Sequence, residues 1–404
     1  MRVWEGGSRA MASRAPAFGV LAIAIFEACG GRTGLDASPP RECADGAGVI
    51  MVAVGTLHAC ALQAGGALWC WGDNDSGEIG DGTATLRNTP VPIMALTNVG
   101  QVSAGGGDDT CAIGPDGALW CWGNNVTGQV GSSGNAFGAE LSPVRVTQLA
   151  SVAQVSIGDM HTCAVQTDNT LWCWGNNPFG QLGIGTTIEE HSPVQVTALT
   201  NVAQVSARGE DTCAIKTDGS LWCWGDNSAG ELGIGTTTAL EESPVQVAAL
   251  ASVAQVGAGG PVTCAIQTGG ALWCWGDNTW GAIGDGTTTD APSPVRVTAL
   301  TSVAQVSTAG DHVCAVQTDG ALFCWGHNML GQLGDGTTTD AHGPTRVSGL
   351  GRVKQVSTGP AFTCALQTDG TVWCWGDDSS GEIADGTQTN QPQLQPVRVT
   401  LRCP

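Results

Sequence analysis

Hydrophobic and polar positions alternate along the chain in short runs that recur from residue 49 onwards. One copy alternates through 202–206, 212–216 and 221–225, and it closes on the Pro-Val-Gln-Val run at 244–247. Strict alternation over a few residues is typical of β-strands, and none of these runs has the period of a helix. Each copy therefore predicts four short strands separated by turns.

Two cysteines ten positions apart mark every copy, and the first cysteine recurs every 50 to 52 residues. Tandem four-stranded units are typical of β-propeller blades. The sequence therefore predicts an all-β fold, a seven-bladed β-propeller of four-stranded antiparallel blades that spans 49–403 in seven repeats of about 51 residues. The cysteine pairs are Cys60 and Cys70, Cys111 and Cys121, Cys163 and Cys173, Cys213 and Cys223, Cys264 and Cys274, Cys314 and Cys324, and Cys364 and Cys374.

The turn between the second and third strands fixes which cysteines face each other. A Thr-Asp-Gly segment such as 217–219 suits a three-residue hairpin loop whose last residue has a positive φ. This register sets Cys213 opposite Cys223, within disulfide reach, so we predict one disulfide inside each blade. Zinc is disfavoured because the cysteines lack CxxC spacing and nearby paired histidines. Gly or Asn, which tolerate a positive φ, stands at the last turn position of every copy: Gly66, Gly117, Asn169, Gly219, Gly270, Gly320 and Gly370.

The same register separates the two faces of a blade. It places the tryptophans of the third strand opposite small residues, on the face away from the sulfurs, as for Trp222 opposite Ala214 and Trp224 opposite Thr212. We therefore expect each blade to turn a tryptophan face to one neighbour and a leucine and disulfide face to the other.

The N-terminal segment predicts export. Residues 1–28 combine three arginines with a short apolar run that ends at Phe26, as in a secretory signal peptide. The run is too short to cross a bilayer as a helix. Residues 29–48 are rich in Gly, Pro and small polar residues and predict a tether, and both Met1 and Met11 are candidate start residues.

Three of the 17 cysteines lie outside the repeats. Closing a ring of blades brings the chain ends together, which predicts a clasp between Cys43 and Cys403. Cys29 directly follows the signal segment and resembles the lipidated cysteine of bacterial lipoproteins, although Phe26 and Glu27 depart from that pattern. We predict lipidation of Cys29, with ordinary cleavage as the alternative, and an extracytoplasmic protein that is membrane-anchored, periplasmic or secreted.

Charge and composition narrow the range of possible binding partners. The 404 residues carry a formal net charge of −21, and 42% of them are apolar, which excludes wholesale disorder. Acidic residues outnumber basic ones 36 to 15, whereas nucleic acid or anionic lipid would call for clustered Lys and Arg. The expected partner is therefore an unidentified protein, with no nucleic acid, and the membrane enters only through the lipid anchor. We expect a monomer.

One segment of each repeat resembles a known family. The run Trp-Gly-Asn-Asn-Pro-Phe-Gly-Gln-Leu-Gly at 174–183, with the pattern Cys-Ala-Val-x-x-Asp-Gly-x-Leu, is similar to the signature of the regulator of chromosome condensation repeat family. The resemblance spans 49 to about 400 and implies a seven-bladed propeller. Members of the family include a nuclear guanine-nucleotide exchange factor, domains of large ubiquitin ligases and a secreted bacterial inhibitor of β-lactamases. The acidic, cysteine-rich character and the lack of an inserted exchange loop depart from the nuclear member, and fold alone does not transfer function.

Loops on one face of the predicted propeller vary between copies and are the candidate binding surface. We call the loops after the first and third strands of each blade the variable face, and the Asp-Gly turns with the connections between blades the turn face. A rigid repeat scaffold with one diversified rim is suited to binding, although drift in unconstrained loops is the alternative for any single residue. The predicted binding residues are Trp280, Phe179, Met329, Leu330, Asp108, Asp109, Asp159, Arg208 and Glu210.

Metal sites and catalysis are not expected. His58, His161 and His312 recur two positions before the first cysteine, and we favour hydrogen bonds to loop backbone over a ring of metal or ligand sites. The acids of 73–81 offer oxygen ligands suited to calcium but lack the spacing of an EF-hand, and the Asn and Gly of these stretches are better explained as turn formers. No cofactor is predicted.

The function that the sequence favours is an exported protein-binding scaffold that is not an enzyme. No nucleophile–base pairing and no Walker-type phosphate loop recurs in the repeats. Two alternatives stay open. One is a regulator of a small GTPase that resembles an exchange factor, and the other is an extracellular polymer-acting enzyme, which would need carboxylates at the axial opening.

Overall fold

Twenty-eight strands follow one another in the computed structural model, which describes residues 48–132 and 138–401. The predicted signal peptide, lipidation at Cys29, and the Cys43–Cys403 clasp lie outside the described residues, as does all of the tether except Gly48. The first four blades comprise β1 (Val49–Val54), β2 (His58–Gln63), β3 (Leu68–Gly72), β4 (Arg87–Pro92), β5 (Gln101–Ala104), β6 (Asp109–Ile113), β7 (Leu119–Gly123), β8 (Glu140–Arg145), β9 (Val152–Ile157), β10 (His161–Gln166), β11 (Leu171–Gly175), β12 (Glu190–Gln195), β13 (Val202–Arg208), β14 (Asp211–Lys216), β15 (Leu221–Asp226) and β16 (Leu240–Gln246).

The last three blades continue the same order. Every blade is an antiparallel sheet whose four strands pair in sequence order, so the predicted seven-bladed propeller is confirmed. The remaining strands are β17 (Val253–Ala258), β18 (Val262–Gln267), β19 (Leu272–Gly276), β20 (Ala291–Arg296), β21 (Val303–Ala309), β22 (His312–Gln317), β23 (Leu322–Gly326), β24 (Ala341–Arg346), β25 (Val353–Thr358), β26 (Phe362–Gln367), β27 (Val372–Gly376) and β28 (Gln393–Val399).

The predicted hairpin register and disulfides are confirmed. Cys213 pairs with Cys223 across β14 and β15, and Ala214 lies opposite Trp222. The last turn residue has a positive φ in each copy, from 65° at Asn169 to 85° at Gly370. Seven disulfides, one per blade, join the predicted partners. They close short hairpins and so stiffen each blade.

The first strand of each blade is the innermost. These seven strands surround an axial cavity of about 250 Å³ lined mainly by Gln, Ser, Ala and Val. A glutamine on six of them reaches the next inner strand and donates its amide to a valine carbonyl at 2.8–3.5 Å, as Gln154 does to Val205. An edge strand exposes unpaired backbone groups, and these side chains supply hydrogen-bond partners for some of those groups on the innermost strands.

Blade seams carry the core. The disulfide of blade 3 packs in one cluster with the buried Trp224 of blade 4, as the two-faced blade predicted. The indole nitrogen of Trp224 donates to the carbonyl of Gln181 in blade 3 at 2.9 Å. The ring closes in the same way, without strand exchange, because Trp71 of blade 1 donates to the Glu382 carbonyl of blade 7 at 2.8 Å.

Candidate binding face

The predicted apolar binding residues lie in the loops between the third and fourth strands. Trp280 is 36% exposed and Met329 is 64% exposed, while Phe179 and Leu330 are half-buried. The Trp280 ring packs against His327 of the next blade, with ring centroids 4.4 Å apart. This contact fixes the tryptophan on the surface and leaves part of its ring accessible.

A buried asparagine holds each of these loops, except in blade 7, where Asp378 takes its place. In blade 3, the amide of Asn177 donates to the carbonyls of Thr186 and Ile188 at 2.8 and 2.9 Å, and its oxygen accepts from the Leu182 amide at 2.9 Å. One side chain thus replaces several missing backbone partners. The loops are pre-organised, which lowers the entropy lost when a partner binds.

Exposed apolar side chains are concentrated on this face. A monomeric protein shows such side chains singly, whereas several on one face are typical of interaction surfaces. Among the described residues, the large exposed ones on the variable face are Val126, Leu141, Met160, Ile188, Trp280 and Met329, and those on the turn face are Ile50 and Met94.

The inner loops, which follow the first strands, meet around the mouth of the axial cavity. The Asp159 amide donates to the Gly209 carbonyl of the next loop at 3.1 Å. Arg208 crosses the cavity from blade 4, and its guanidinium donates to the carbonyls of Val54 and Thr358, in blades 1 and 7, at 3.1 and 3.3 Å. Arg208 therefore spans the mouth of the cavity and ties three blades together.

Carboxylates from blades 1 to 4 form an acidic sector beside this mouth. Asp159 is exposed, Asp108 and Glu210 are half-buried, and Asp109 lies at the start of β6 and is fully buried instead of standing on the exposed rim. Burial is the main cause that raises the pKa of Asp108, Asp109 and Glu210, and repulsion from Asp159 adds to it. Such raised values are frequent at functional sites.

Histidines bridge three blade seams. His161 is fully buried, and its Nε2 lies 2.8 Å from the Thr212 hydroxyl of the next blade, which donates to the Gln181 carbonyl at 2.9 Å. His58 and His312 make equivalent contacts, so the partner is a threonine hydroxyl and not the expected loop backbone. Burial lowers the pKa of all three histidines to about 3, so they are neutral at physiological pH.

Aspartate takes the histidine position in blades 2 and 4, as Asp109 and Asp211, and in blade 4 it lines a pocket. Asp211 is 1% exposed, neither carboxylate oxygen has a hydrogen-bond partner among the described residues, and the same holds for the hydroxyl of Thr263 across the seam. Burial and the charges of neighbouring acids raise the pKa of Asp211 well above its usual range. The pocket measures about 240 Å³ and includes five carboxylates, those of Asp159, Glu210, Asp211, Asp226 and Glu231.

Sequence reasoning missed this pocket. The signal was present in the comparison of copies, since Val262 and Phe362 occupy the position of Asp211 in blades 5 and 7. An apolar residue there indicates a buried position, so an aspartate at that position is a buried carboxylate.

In the acidic turn of blade 1, Asp81 makes contacts within the loop. Its carboxylate accepts from the Arg87 side chain at 2.7 Å and from the Thr83 hydroxyl at 2.7 Å. Within residues 48–132 and 138–401, no three His, Cys, Asp or Glu side chains come together in a way that could hold a metal ion.

Fold and face together define a propeller with one constant rim and one diversified rim. A family model for the RCC1-like domain matches residues 88–403, and a model for the regulator of chromosome condensation (RCC1) repeat matches residues 49–78. The chain belongs to the RCC1-like domain family.

Relatives share part of the chain. The ultraviolet-B receptor UVR8 of Arabidopsis thaliana is 37% identical over 143 residues, which cover 35% of this chain and 32% of UVR8. The probable E3 ubiquitin-protein ligase HERC6 of Homo sapiens is 32% identical over 140 residues, which cover 34% of this chain and 14% of HERC6. The matches thus span about a third or less of these relatives.

Solved structures show the same fold. Human WBSCR16 superposes with a TM-score of 0.70 at 23% identity, over 79% of this chain and 87% of that protein. Prp20p of Saccharomyces cerevisiae superposes with a TM-score of 0.73 at 18% identity, over 88% of both chains.

Proposed function

We propose that this chain is an exported scaffold that binds a protein partner through its variable face. The observation that carries the proposal is the contrast between the two faces. On the variable face, loops held by buried side chains present Trp280, Met329 and a sector of carboxylates, whereas the turn face repeats one short turn. Aromatic and methionine side chains on a rigid frame are common anchors in interfaces. Prp20p, described with its binding to Gsp1p and histones, is a protein binder of this fold.

Export and lipid anchoring at Cys29 belong to the same proposal. Seven disulfides fit an oxidising compartment. Among the described residues, no helix is long and apolar enough to span a membrane. A polymer-acting enzyme would need carboxylates at the axial opening; the cavity itself is lined mainly by Gln, Ser, Ala and Val and is crossed by Arg208, and the carboxylates of the acidic sector lie beside its mouth.

Crosslinking on intact cells tests both parts. A membrane-impermeant crosslinker should capture a partner on the wild-type chain, and a Trp280→Ala/Met329→Ala double variant should lose at least about tenfold of that yield. Met94→Ala is the control, because Met94 is 82% exposed on the turn face. A chain that the reagent never modifies would refute export and leave the GTPase-regulator alternative. Equal partner yield from wild type and double variant would refute the binding face.

A further inference from the structure

We infer that the acidic pocket between blades 4 and 5 receives an arginine side chain of the protein partner, with Asp211 at its base. This inference rests on the proposed binding role of the variable face and names the chemistry of the partner at one place on it. The pocket opens beside the inner loops of blades 3 to 5, next to the mouth of the axial cavity.

The pocket wall depends on two glycines that let neighbouring loops touch. Gly209 has a φ of 58°, and a β-carbon there would lie 2.5 Å from the Cα of Gly260, which itself has a φ of 83°. Backbones can approach this closely only without side chains. The close approach of these loops brings the carboxylates of Asp159 and Glu210 to the same pocket as the acids that β14, β15 and the loop after β15 supply in blade 4.

Asp211 is what distinguishes this pocket from a solvated acidic rim. In the seam between blades 3 and 4, the longer imidazole of His161 reaches across, and its Nε2 bonds to the Thr212 hydroxyl, which donates to the Gln181 carbonyl. In the seam between blades 4 and 5, the shorter aspartate makes no such bond, and Thr263 opposite it makes none within the described chain. A buried carboxylate without a donor is costly, so a ligand that brings donors gains that energy on binding.

The size and the spread of the acids favour a guanidinium. A volume of about 240 Å³ equals roughly eight water molecules at about 30 Å³ each, enough for a side-chain head group. Guanidinium offers five N–H donors in a planar fork and stays charged, so it can serve carboxylates on several walls at once. A metal ion would instead need ligands that converge on one point, and no such group occurs among the described residues.

Two of the acids are already oriented by the chain. The Asp226 carboxylate accepts from the backbone N–H of Asn227 at 2.9 Å and from the Ser228 hydroxyl at 3.0 Å. The Glu231 carboxylate accepts from the backbone N–H of Ala229 at 2.9 Å. These bonds leave part of each carboxylate's acceptor capacity for a ligand. Asp211 differs from these two acids because both of its oxygens are buried and have no partner among the described residues.

Titration of the full chain with Nα-acetyl-arginine amide, followed by calorimetry, tests the inference. We expect binding with a Kd near or below about 10 mM, a loss of about tenfold or more in Asp211→Asn, and no change beyond about twofold in Glu189→Gln. Glu189 is an exposed acid on the same face, and the substitution makes the same change from carboxylate to amide. Glu231→Gln provides a second pocket variant, because glutamine occupies that repeat position in blades 2, 3 and 6 and is compatible with the fold.

Three results would overturn it: no binding of the capped arginine to wild type, equal binding by Asp211→Asn, or displacement of the arginine by calcium at a matched ionic strength. Nα-acetyl-lysine amide should bind more weakly than the arginine compound, because it lacks the planar fork. The titration needs no partner, so its failure is distinct from failure of the crosslinking experiment.

Discussion

The seam between blades 3 and 4 and the seam between blades 4 and 5 follow one backbone plan and differ in the side chain that crosses between blades. In the first seam, hydrogen bonds run from the His161 Nε2 to the Thr212 hydroxyl and on to the Gln181 carbonyl, while the Nδ1 has no partner among the described residues. Asp211 leaves the second with a carboxylate and a hydroxyl that have no partner in the described chain. Asp109 of blade 2 carries the same exchange and is also without a partner among the described residues, so the position in blade 4 is a candidate site because a pocket lies beside it.

The comparison teaches where a repeat protein can place chemistry. Tryptophan indoles and disulfides hold both seams in the same way, since Trp224 and Trp275 each donate to a carbonyl of the preceding blade at 2.7–2.9 Å. Because this frame carries the stability, a single buried position can depart from the best packing without unfolding the blade.

Replacing His161 with aspartate, the residue that blade 4 has at this position, should have the largest effect on stability. His161→Asp removes the bond to Thr212 and buries a carboxylate, so we expect a loss of about 3–5 kcal/mol in the free energy of unfolding at neutral pH. Urea unfolding followed by tryptophan fluorescence measures it.

A surface substitution and the reverse exchange serve as controls. His342→Asp makes the same chemical change at an exposed side chain and should cost less than about 0.5 kcal/mol. Asp211→His should stabilise by about 1–3 kcal/mol, since histidine can reach Thr263 as His312 reaches Thr363. A loss below about 1 kcal/mol in His161→Asp would show that the seam tolerates a buried charge, and the comparison would fail.

Buried histidines and buried glutamates should make the free energy of unfolding depend on pH in opposite directions. His161 has its pKa lowered by burial from 6.5 to about 3, so its contribution is present above pH 6.5 and lost as the pH falls towards 3. Burial, the largest cause, raises the pKa of Glu78 to about 8 and of Glu382 to about 7, so their contribution is present below about pH 4.5 and lost as the pH rises through 7 to 8.

Glutamine in place of Glu78 and Glu382 should remove the loss of stability that these two residues cause at alkaline pH. Glu78→Gln/Glu382→Gln copies the residue of blades 2, 3 and 6, keeps the acceptor oxygen and cannot ionise. For Glu382, the interval from 4.5 to about 7 corresponds to at most about 3 kcal/mol. Urea midpoints between pH 5 and about 8.5 measure the effect. The exposed pair Glu189→Gln/Glu242→Gln is the control; if it flattens the curve equally, net charge and not burial governs the alkaline limb.

The fold was predictable from the sequence because its determinants are local. Alternation, the turn residue at 219 and its equivalents, and the spacing of Cys213 and Cys223 specify strands and register without long-range information. The role of Asp211 could not be predicted from the sequence, because it depends on which residue of the next blade lies across the seam and on how the inner loops cross. Arg208 is similar: its acceptors are on Val54 and Thr358, about 150 positions away.

A smaller difference between seams concerns the inner strands. Met51 of blade 1 occupies the position that glutamine holds in the other six blades, so the seam between blades 1 and 2 lacks the amide that elsewhere bonds to the next valine, as Gln355 bonds to Val52 at 2.8 and 3.0 Å. Met51→Gln should place this amide beside Val102 and stabilise the ring by about 0.5–1.5 kcal/mol. Met94→Gln, at an 82% exposed methionine of the turn face, is the matched control and should change the urea midpoint little. If Met51→Gln also changes little, the six glutamines align the inner strands without stabilising them.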